Sequence, residues 1–328
     1  MTTAEILAAF PKVSALVIGD ICLDRWCTYD PATSEPSRET GIPRTGVVAT
    51  EITPGAGGTV ANNLVALGVG RVAVLGAIGE DGFGYELTGA LALRGISSEL
   101  LVRSGKMQTF TYSKLINGAT GIEDQPRVDF INIKPLDGGI ERKIVDNVRS
   151  AVTGFDVILI SDQAETSRGG VVTEAVRNAL TEMAARHPEK IFFVDSRARI
   201  DLYRGLTLKP NQDEAEAACK KMFNRVDYAA LLEHVRAPLV IVTHGPKGAL
   251  LVEKDKQTWV ETRPVANPVD ICGAGDSFTA GASLALAVTR SPLAAAQMGN
   301  RVASITIMKK GTGTASPAEV LALENAGR

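Results

Sequence analysis

The sequence predicts an α/β fold: a mainly parallel central sheet covered by helices on both faces, carrying a small β-strand lid. Three observations predict it. Short apolar runs rich in Val and Ile alternate with longer amphipathic ones. Two stretches break that rhythm and instead alternate polar with apolar residues. The composition, 45% hydrophobic with 35 Lys and Arg against 37 Asp and Glu in 328 residues, is that of a chain with a large core and almost no net charge.

Taken in order, Ala15–Gly19 (ALVIG), Arg71–Leu75, Val157–Ile160, Ile191–Val194 and Leu239–Thr243 are four- or five-residue runs flanked by Gly, Asp or other turn residues. They are expected as strands buried on both faces. Helical patterns lie between and after them, at Val60–Leu67, Tyr85–Arg94, Glu141–Val152, Gly170–Arg186, Asp213–Met222, Tyr228–Val235, Gly275–Val288 and Leu293–Met308. The interruptions are Trp26–Thr53, with Pro31, Pro36 and Pro43 before the alternating GVVATEIT, and Gln108–Ile133, which contains TFTYSKLI and RVDFINI. Both are expected as antiparallel lid strands, inserted at about 26–53 and 108–133 into one domain over 1–328. The lid should cover the carboxyl edge of the sheet, where open α/β sheets bind ligands.

Several functions are excluded at this level. A net charge of −2 lacks the basic surface a nucleic-acid partner requires. The longest uncharged stretch, Ile52 to Gly70, holds Pro54, five glycines and two asparagines, so no membrane partner is expected. The N-terminus has no secretory pattern, and Cys22, Cys27, Cys219 and Cys272 match neither a zinc site nor a disulfide framework. The expected compartment is the reducing cytoplasm. His187, His234 and His244 are dispersed, so none is assigned to a metal. No Gly-x-x-x-x-Gly-Lys-[Ser/Thr] occurs, which removes a P-loop kinase. Gly55-Ala56-Gly57-Gly58 superficially suits a dinucleotide loop, but Pro54 and an alternating segment precede it where a buried strand should.

The segment richest in chemistry is Asp270–Phe278, DICGAGDSF. Gly273-Ala274-Gly275 opens directly into an apolar helix. Glycines allow close approach of backbone to ligand, and first-turn amides have no partner inside the helix. Such a turn can hold a phosphoryl group as negative charge builds on it. Asp276 at its mouth is placed to take a proton from an attacking hydroxyl. An ordinary capping Asp is the competing reading.

DICGAGDSF resembles the C-terminal signature of the ribokinase/PfkB carbohydrate kinases. Four further segments are similar to motifs of that family and fall in its order: Gly19-Asp20-Ile21-Cys22-Leu23-Asp24, Pro54–Gly68, Pro210-Asn211-Gln212-Asp213-Glu214 and Thr243-His244-Gly245-Pro246-Lys247-Gly248. Within the family, GDICLDRW, LISDQAE, LYRGLTLKPNQDE and KKGTGTASP look most like the kinase domain of the heptose 7-phosphate kinase/ADP-heptose synthase group. The resemblance spans essentially the whole chain. It implies a ribokinase-like three-layer α/β/α fold and transfer of the ATP γ-phosphate to a hydroxyl of a sugar or sugar phosphate. A nucleoside or other small-alcohol kinase, or a non-catalytic sugar or nucleotide sensor, are the rival readings.

The resemblance also implies site roles. Asp276 would be the general base, and Gly273, Ala274 and Gly275 would supply amides to the phosphoryl group. Asp24 would accept sugar hydroxyls at the end of the first strand, beside Gly55, Gly57, Thr59 and Asn63. Thr59 stands where the family has Asn, and Ser34–Thr45 and Asp195-Ser196-Arg197 also depart from the heptose-kinase pattern, which bears on the substrate. Lys114 and Arg127 on the lid suit a sugar that already carries a phosphate. Asn211, Thr243, Gly245, Gly248 and Arg197 fall on the nucleotide side, and Glu214 would hold Mg²⁺ through water. Asp270, Cys272, Thr306, Lys309, Gly311 and Ser316 match positions that hold K⁺ or Na⁺ in relatives, largely through backbone oxygens. Cys272 itself is expected as a small buried residue. Lids of this type pair edge to edge, so a homodimer through the lid is expected.

Overall fold

The computed structural model describes residues 1–166 and 168–325; residue 167 and the last three residues of the domain expected over 1–328 lie outside them. The chain enters through α1 (Thr3–Ala9), whose Thr2–Glu5 capping box satisfies its first amides. The large sheet then grows in two directions from its first strand. Strand β1 (Ser14–Gly19) pairs in parallel with β4 (Arg71–Gly79) on one side and β8 (Val157–Asp162) on the other. Beyond β4 lies β5 (Ser97–Ser104), and beyond β8 come β9 (Ile191–Ser196), β10 (Thr207–Leu208) and β11 (Val240–Thr243), all parallel. A hairpin of β12 (Gly248–Glu253) and β13 (Lys256–Glu261) adds two antiparallel strands at that edge.

Alternation along β1 shows how both faces are filled. Ala15 and Val17 enter one core, while Leu16 and Ile18 enter the other. The first core is covered by α1, α2 (Gly57–Ala66), α3 (Gly82–Leu93), α8 (Ala274–Thr289), α9 (Pro292–Thr306) and α10 (Pro317–Asn325). The second is covered by α4 (Gly138–Ala151), α5 (Glu174–Arg186), α6 (Gln212–Phe223) and α7 (Tyr228–Val235). This is the expected three-layer α/β/α arrangement. Helix α5 begins four residues after the expected Gly170, because Thr173 caps it.

The lid differs from expectation in two respects. Its strands are β2 (Ile21–Tyr29), β3 (Val47–Ala56), β6 (Thr111–Asn117) and β7 (Val128–Phe130), in the order β3-β2-β6-β7. β2 therefore begins at Ile21, five residues before the expected Trp26, and Asp24 lies inside a lid strand instead of ending the first core strand. The central pair β2–β6 is parallel, while β2–β3 and β6–β7 are antiparallel as expected. Parallel pairing arises because β2 and β6 both leave the same edge of the main sheet. Of RVDFINI only Val128–Phe130 is strand.

Strands β5, β10 and β13 and helices α1 and α10 were not expected. β10 has two residues, too few to show a period, and β5 (SSELLVRS) and β13 (KQTWVE) are broken by charge at the sheet's edges.

Candidate active site

The sheet's connections reverse direction between β1 and β8, and the crevice above their carboxyl ends is where ligands bind in such folds. Two devices shape it. Gly19, ending β1 at φ +135°, lies so close to β8 that a Cβ would sit 2.1 Å from the Ser161 carbonyl oxygen. Asp20 follows, fully buried, and accepts the backbone amides of Gln163, Ala164 and Val171, each at 2.8 Å. Burial, reinforced by the nearby Asp162 charge, nevertheless raises its pKa to about 6. Asp20 thus moors both ends of the 163–171 loop beside the crevice. Arg199 fixes the middle, reaching Asp162 at 2.8 Å and the carbonyls of Ala164 at 3.2 Å and Thr166 at 2.5 Å.

Gly273 adopts the left-handed conformation (φ +76°) and turns the chain into α8, with Asp276 in its first turn. A Cβ on Gly273 would meet Thr59 and Thr312 at 3.3 Å. The Ala274 amide is given to the Ile271 carbonyl at 3.2 Å, so Ala274 does not offer the donor expected of it. Among the described residues, the amides of Gly273, Gly275 and Asp276 have no protein acceptor. Behind the turn Lys209 is buried, its Nζ 2.7 Å from Asp195 Oδ2, which also accepts Thr279 Oγ1 at 2.9 Å. Burial pulls the Lys209 ammonium down, but the charge and hydrogen bond of Asp195, with the charges of Glu214 and Asp276, together hold the pKa above its ordinary value. A Cβ on Gly275 would stand 3.5 Å from that ammonium. Lys209 was missed in the sequence, because a lysine before Pro210 gives no sign that it is buried.

Asp276 keeps some contact with solvent at the mouth of a cleft of about 180 Å³. Burial, then the Asp195 charge, pushes its pKa up to about 8, against the opposing pull of Lys209. Asp24 lines the same cleft, and burial raises its pKa to about 6 although Lys114 and Arg127 act the other way. Gly55 makes room for it: a Cβ there would fall 2.5 Å from the Asp24 carboxyl group. Thr59, Lys114, Arg127, Arg197, Cys272 and Gly273 line the cleft as well. Cys272 is exposed, contrary to the expectation of a small buried residue, because it precedes the glycine turn instead of facing the core.

Two expected sugar-side residues point elsewhere. Gly57 packs against the start of β2 and against β8, where a Cβ would lie 2.7 Å from Ile21 Cδ1 and 3.2 Å from Ser161 Cβ. Asn63 is fully buried within α2 and gives its amide to the Thr59 carbonyl. Both hold α2 in place, and neither lines the cleft. Residues the sequence did not single out do line it, including Tyr112, Gln163 and Glu165.

Of the residues expected on the nucleotide side, Asn211, Thr243, Gly245 and Gly248 gather at the ends of β10 and β11, whereas Arg197 follows β9 and lines the cleft beside Asp24. Asn211 caps α6, accepting Glu214 N–H at 2.9 Å while Glu214 Oε2 accepts Asn211 N–H at 2.8 Å. Thr243 donates its amide to Pro210 O, and Asn211 bridges to it in parallel fashion. Gly245 (φ +55°) opens the tight turn to Gly248 (φ +115°), so the two glycines do form the hairpin between β11 and β12. Burial and Asp195 raise the Glu214 pKa.

The six residues matched to a monovalent-cation site come together only in part. Asp270 accepts the amides of Cys272 at 2.9 Å and Gly311 at 3.1 Å, tying those two loops. Ser316 is committed to Glu319 as the cap of α10, and the Lys309 ammonium is given to the Thr314 carbonyl and Glu319, each at 2.6 Å. Thr306 Oγ1 lies 2.8 Å from Ser277 Oγ.

Known proteins share this architecture. The chain is similar to phosphofructokinase-2 from Escherichia coli in complex with potassium (TM-score 0.73, 20% identity, 96% of this chain and 100% of that one). It is also similar to Arabidopsis thaliana ribokinase complexed with ribose and ATP (TM-score 0.67, 19% identity, 95% and 98%). The fold is thus that of the ribokinase-like kinases. The family model for pfkB carbohydrate kinases matches residues 15–319, and the chain belongs to that family. Among curated proteins it is 31% identical over 317 residues to the bifunctional protein HldE of Trichlorobacter lovleyi, covering 94% of this chain and 62% of that protein. The HldE of Geobacter metallireducens is 32% identical over 326 residues, with 97% and 64% covered. The chain therefore spans less than two thirds of the length of these relatives.

Proposed function

We propose that this chain transfers the γ-phosphate of ATP to a hydroxyl of a sugar that already carries a phosphate, of the heptose phosphate kind. The carrying observation is that Asp276, at the mouth of a turn with unpartnered amides, shares one cleft with Asp24 and four cations, Arg25, Lys114, Arg127 and Arg197. Asp24 accepts sugar hydroxyls, and Thr59 shapes the floor. The cations answer the substrate's phosphate. Asp276 removes the proton from the attacking hydroxyl. In its ionised form, its raised pKa makes it a stronger base than an ordinary carboxylate. The amides of Gly273, Gly275 and Asp276, with Lys209 behind them, take up charge on the phosphoryl group in flight. Catalysis is then mostly positioning and electrostatics.

Mg²⁺ fits this donor set. Among the described residues no three His, Cys, Asp or Glu side chains gather to cage a metal. Mg²⁺ commonly keeps its waters and binds through one or two carboxylates and the substrate phosphates. Glu214, with Oε2 used by Asn211 and its other oxygen free, would hold the ion through water, and the ion would neutralise the nucleotide's phosphates. Asn211, Thr243, Gly245 and Gly248 would border the nucleotide. A K⁺ or Na⁺ beside Asp270 is supported by the joined loops at Cys272 and Gly311, less so by Ser316 and Lys309, which have other partners.

The lid's outer strand leaves Val47 and Val48 47% and 62% exposed, which supports a homodimer through the lid. No helix among the described residues is long and apolar enough to cross a membrane. All four cysteines are free, which agrees with the reducing cytoplasm as the compartment.

The test is an ADP-release screen across sugars, sugar phosphates and nucleosides. Release with a sugar phosphate supports the reading. Release with nucleosides alone favours the nucleoside-kinase alternative, and binding without release favours a sensor.

A further inference from the structure

The cations at the cleft mouth are not free: each is held by a carboxylate of the chain itself. Arg127 grips Asp129 through Nε at 3.0 Å and the terminal nitrogen at 2.7 Å. Lys114 stands 3.7 Å from Glu123. Arg197 pairs with Glu165. Glu165 differs from the other two acids in its position. Asp129 and Glu123 belong to the lid alongside the cations they hold, whereas Glu165 projects from the sheet edge. Its charge is felt by Arg127 and Tyr112 of the lid, as well as by the Arg197 it pairs with.

The surroundings of Glu165 make it displaceable. The backbone on either side is fixed, with the Ala164 amide on Asp20 and the carbonyls of Ala164 and Thr166 on Arg199. The side chain itself is 59% exposed and its partner's 52%. Rotation of the side chain alone releases Arg197, with no change in the loop. An exposed pair of this kind contributes little to stability, so breaking it is cheap.

We propose that Glu165 acts as a resident anion of the cleft, holding Arg197 where the substrate's phosphate would bind until a doubly charged phosphate displaces it. The inference rests on the phosphorylated-sugar reading given above. A dianion outcompetes a single carboxylate for Arg197, because it can form bidentate, charge-assisted bonds to that guanidinium and reach Arg127 in the same cleft. A neutral sugar does not displace the carboxylate and leaves the Arg197–Glu165 pair in place, so the competition from Glu165 falls on phosphate alone. Glu165 is in this sense a residue that opposes phosphate binding, with no part in the chemistry.

The experiment is calorimetric titration of inorganic phosphate into the full chain saturated with a non-hydrolysable ATP analogue and Mg²⁺, so that the amide turn is already filled. Wild type is compared with Glu165→Gln, Arg127→Gln and the double variant. Glu165→Gln is expected to tighten phosphate binding by about two- to fivefold, the range of an exposed ion pair. Arg127→Gln should weaken it, and the gain from Glu165→Gln should shrink in the Arg127→Gln background. If Arg127→Gln weakens binding while Glu165→Gln leaves it unchanged or weaker, the resident-anion role is overturned and the phosphate reading stands. If neither wild type nor Glu165→Gln binds phosphate, both are overturned. Binding seen in Glu165→Gln alone supports both.

Discussion

The base role proposed for Asp276 places two conflicting demands on it. It would have to be charged to accept a proton, yet burial and Asp195 raise its pKa to about 8. A carboxyl whose folded pKa lies above its unfolded value of 3.8 loses stability as pH rises through that interval, because the unfolded chain ionises first. Asn cannot ionise and escapes this cost. Asp276→Asn should therefore match wild type in thermal stability near pH 4 and exceed it increasingly up to about pH 8. Equal midpoints across that range would show that Asp276 is not destabilised by ionisation. The motif around Asp276 was legible in the sequence because it depends on local features: two glycines, a helix start and an acid at fixed spacing. Lys209 and Glu165 were not, since Lys209 is buried beside Asp195 and Glu165 meets its partner Arg197 beyond the end of β9.

At the scale of elements, the entry to α2 is under strain. Ala56 has φ +50° and ψ −119°, a conformation natural to glycine, and it lines the cleft. Strain of this kind costs of order 1–3 kcal/mol. Ala56→Gly should raise the denaturant midpoint by the equivalent of about 1 kcal/mol, and a fall in that midpoint would show the backbone relaxed. An alanine gives no sign in the sequence of this conformation, which is natural to glycine. The boundaries of the lid strands were also hard to read. Ile21–Leu23 are buried like a core strand, and nothing in their residue types reveals that the chain has already left the main sheet at Asp20.

At the scale of the whole molecule, layer order was the most readable property. Val- and Ile-rich runs buried on both faces and helices of sufficient length between them leave few alternatives to a parallel sheet. Lid topology was less accessible, because alternation marks a strand's faces but not its neighbour, and the parallel β2–β6 pair requires knowing where both strands depart. The free edge at β3 bears on assembly. Wild type is expected to be a dimer by light scattering at micromolar concentration. Val48→Lys places a charge on that edge and should shift the mass to a monomer. An unchanged dimer would place the interface elsewhere.

The central claim is that the Asp276 carboxylate draws the proton from the acceptor hydroxyl. Its most direct measurement is the turnover of Asp276→Asn, by ADP release, with the best acceptor from the screen. A loss of at least ~10²-fold in kcat with folding intact is the predicted result, and turnover within a few-fold of wild type would contradict it.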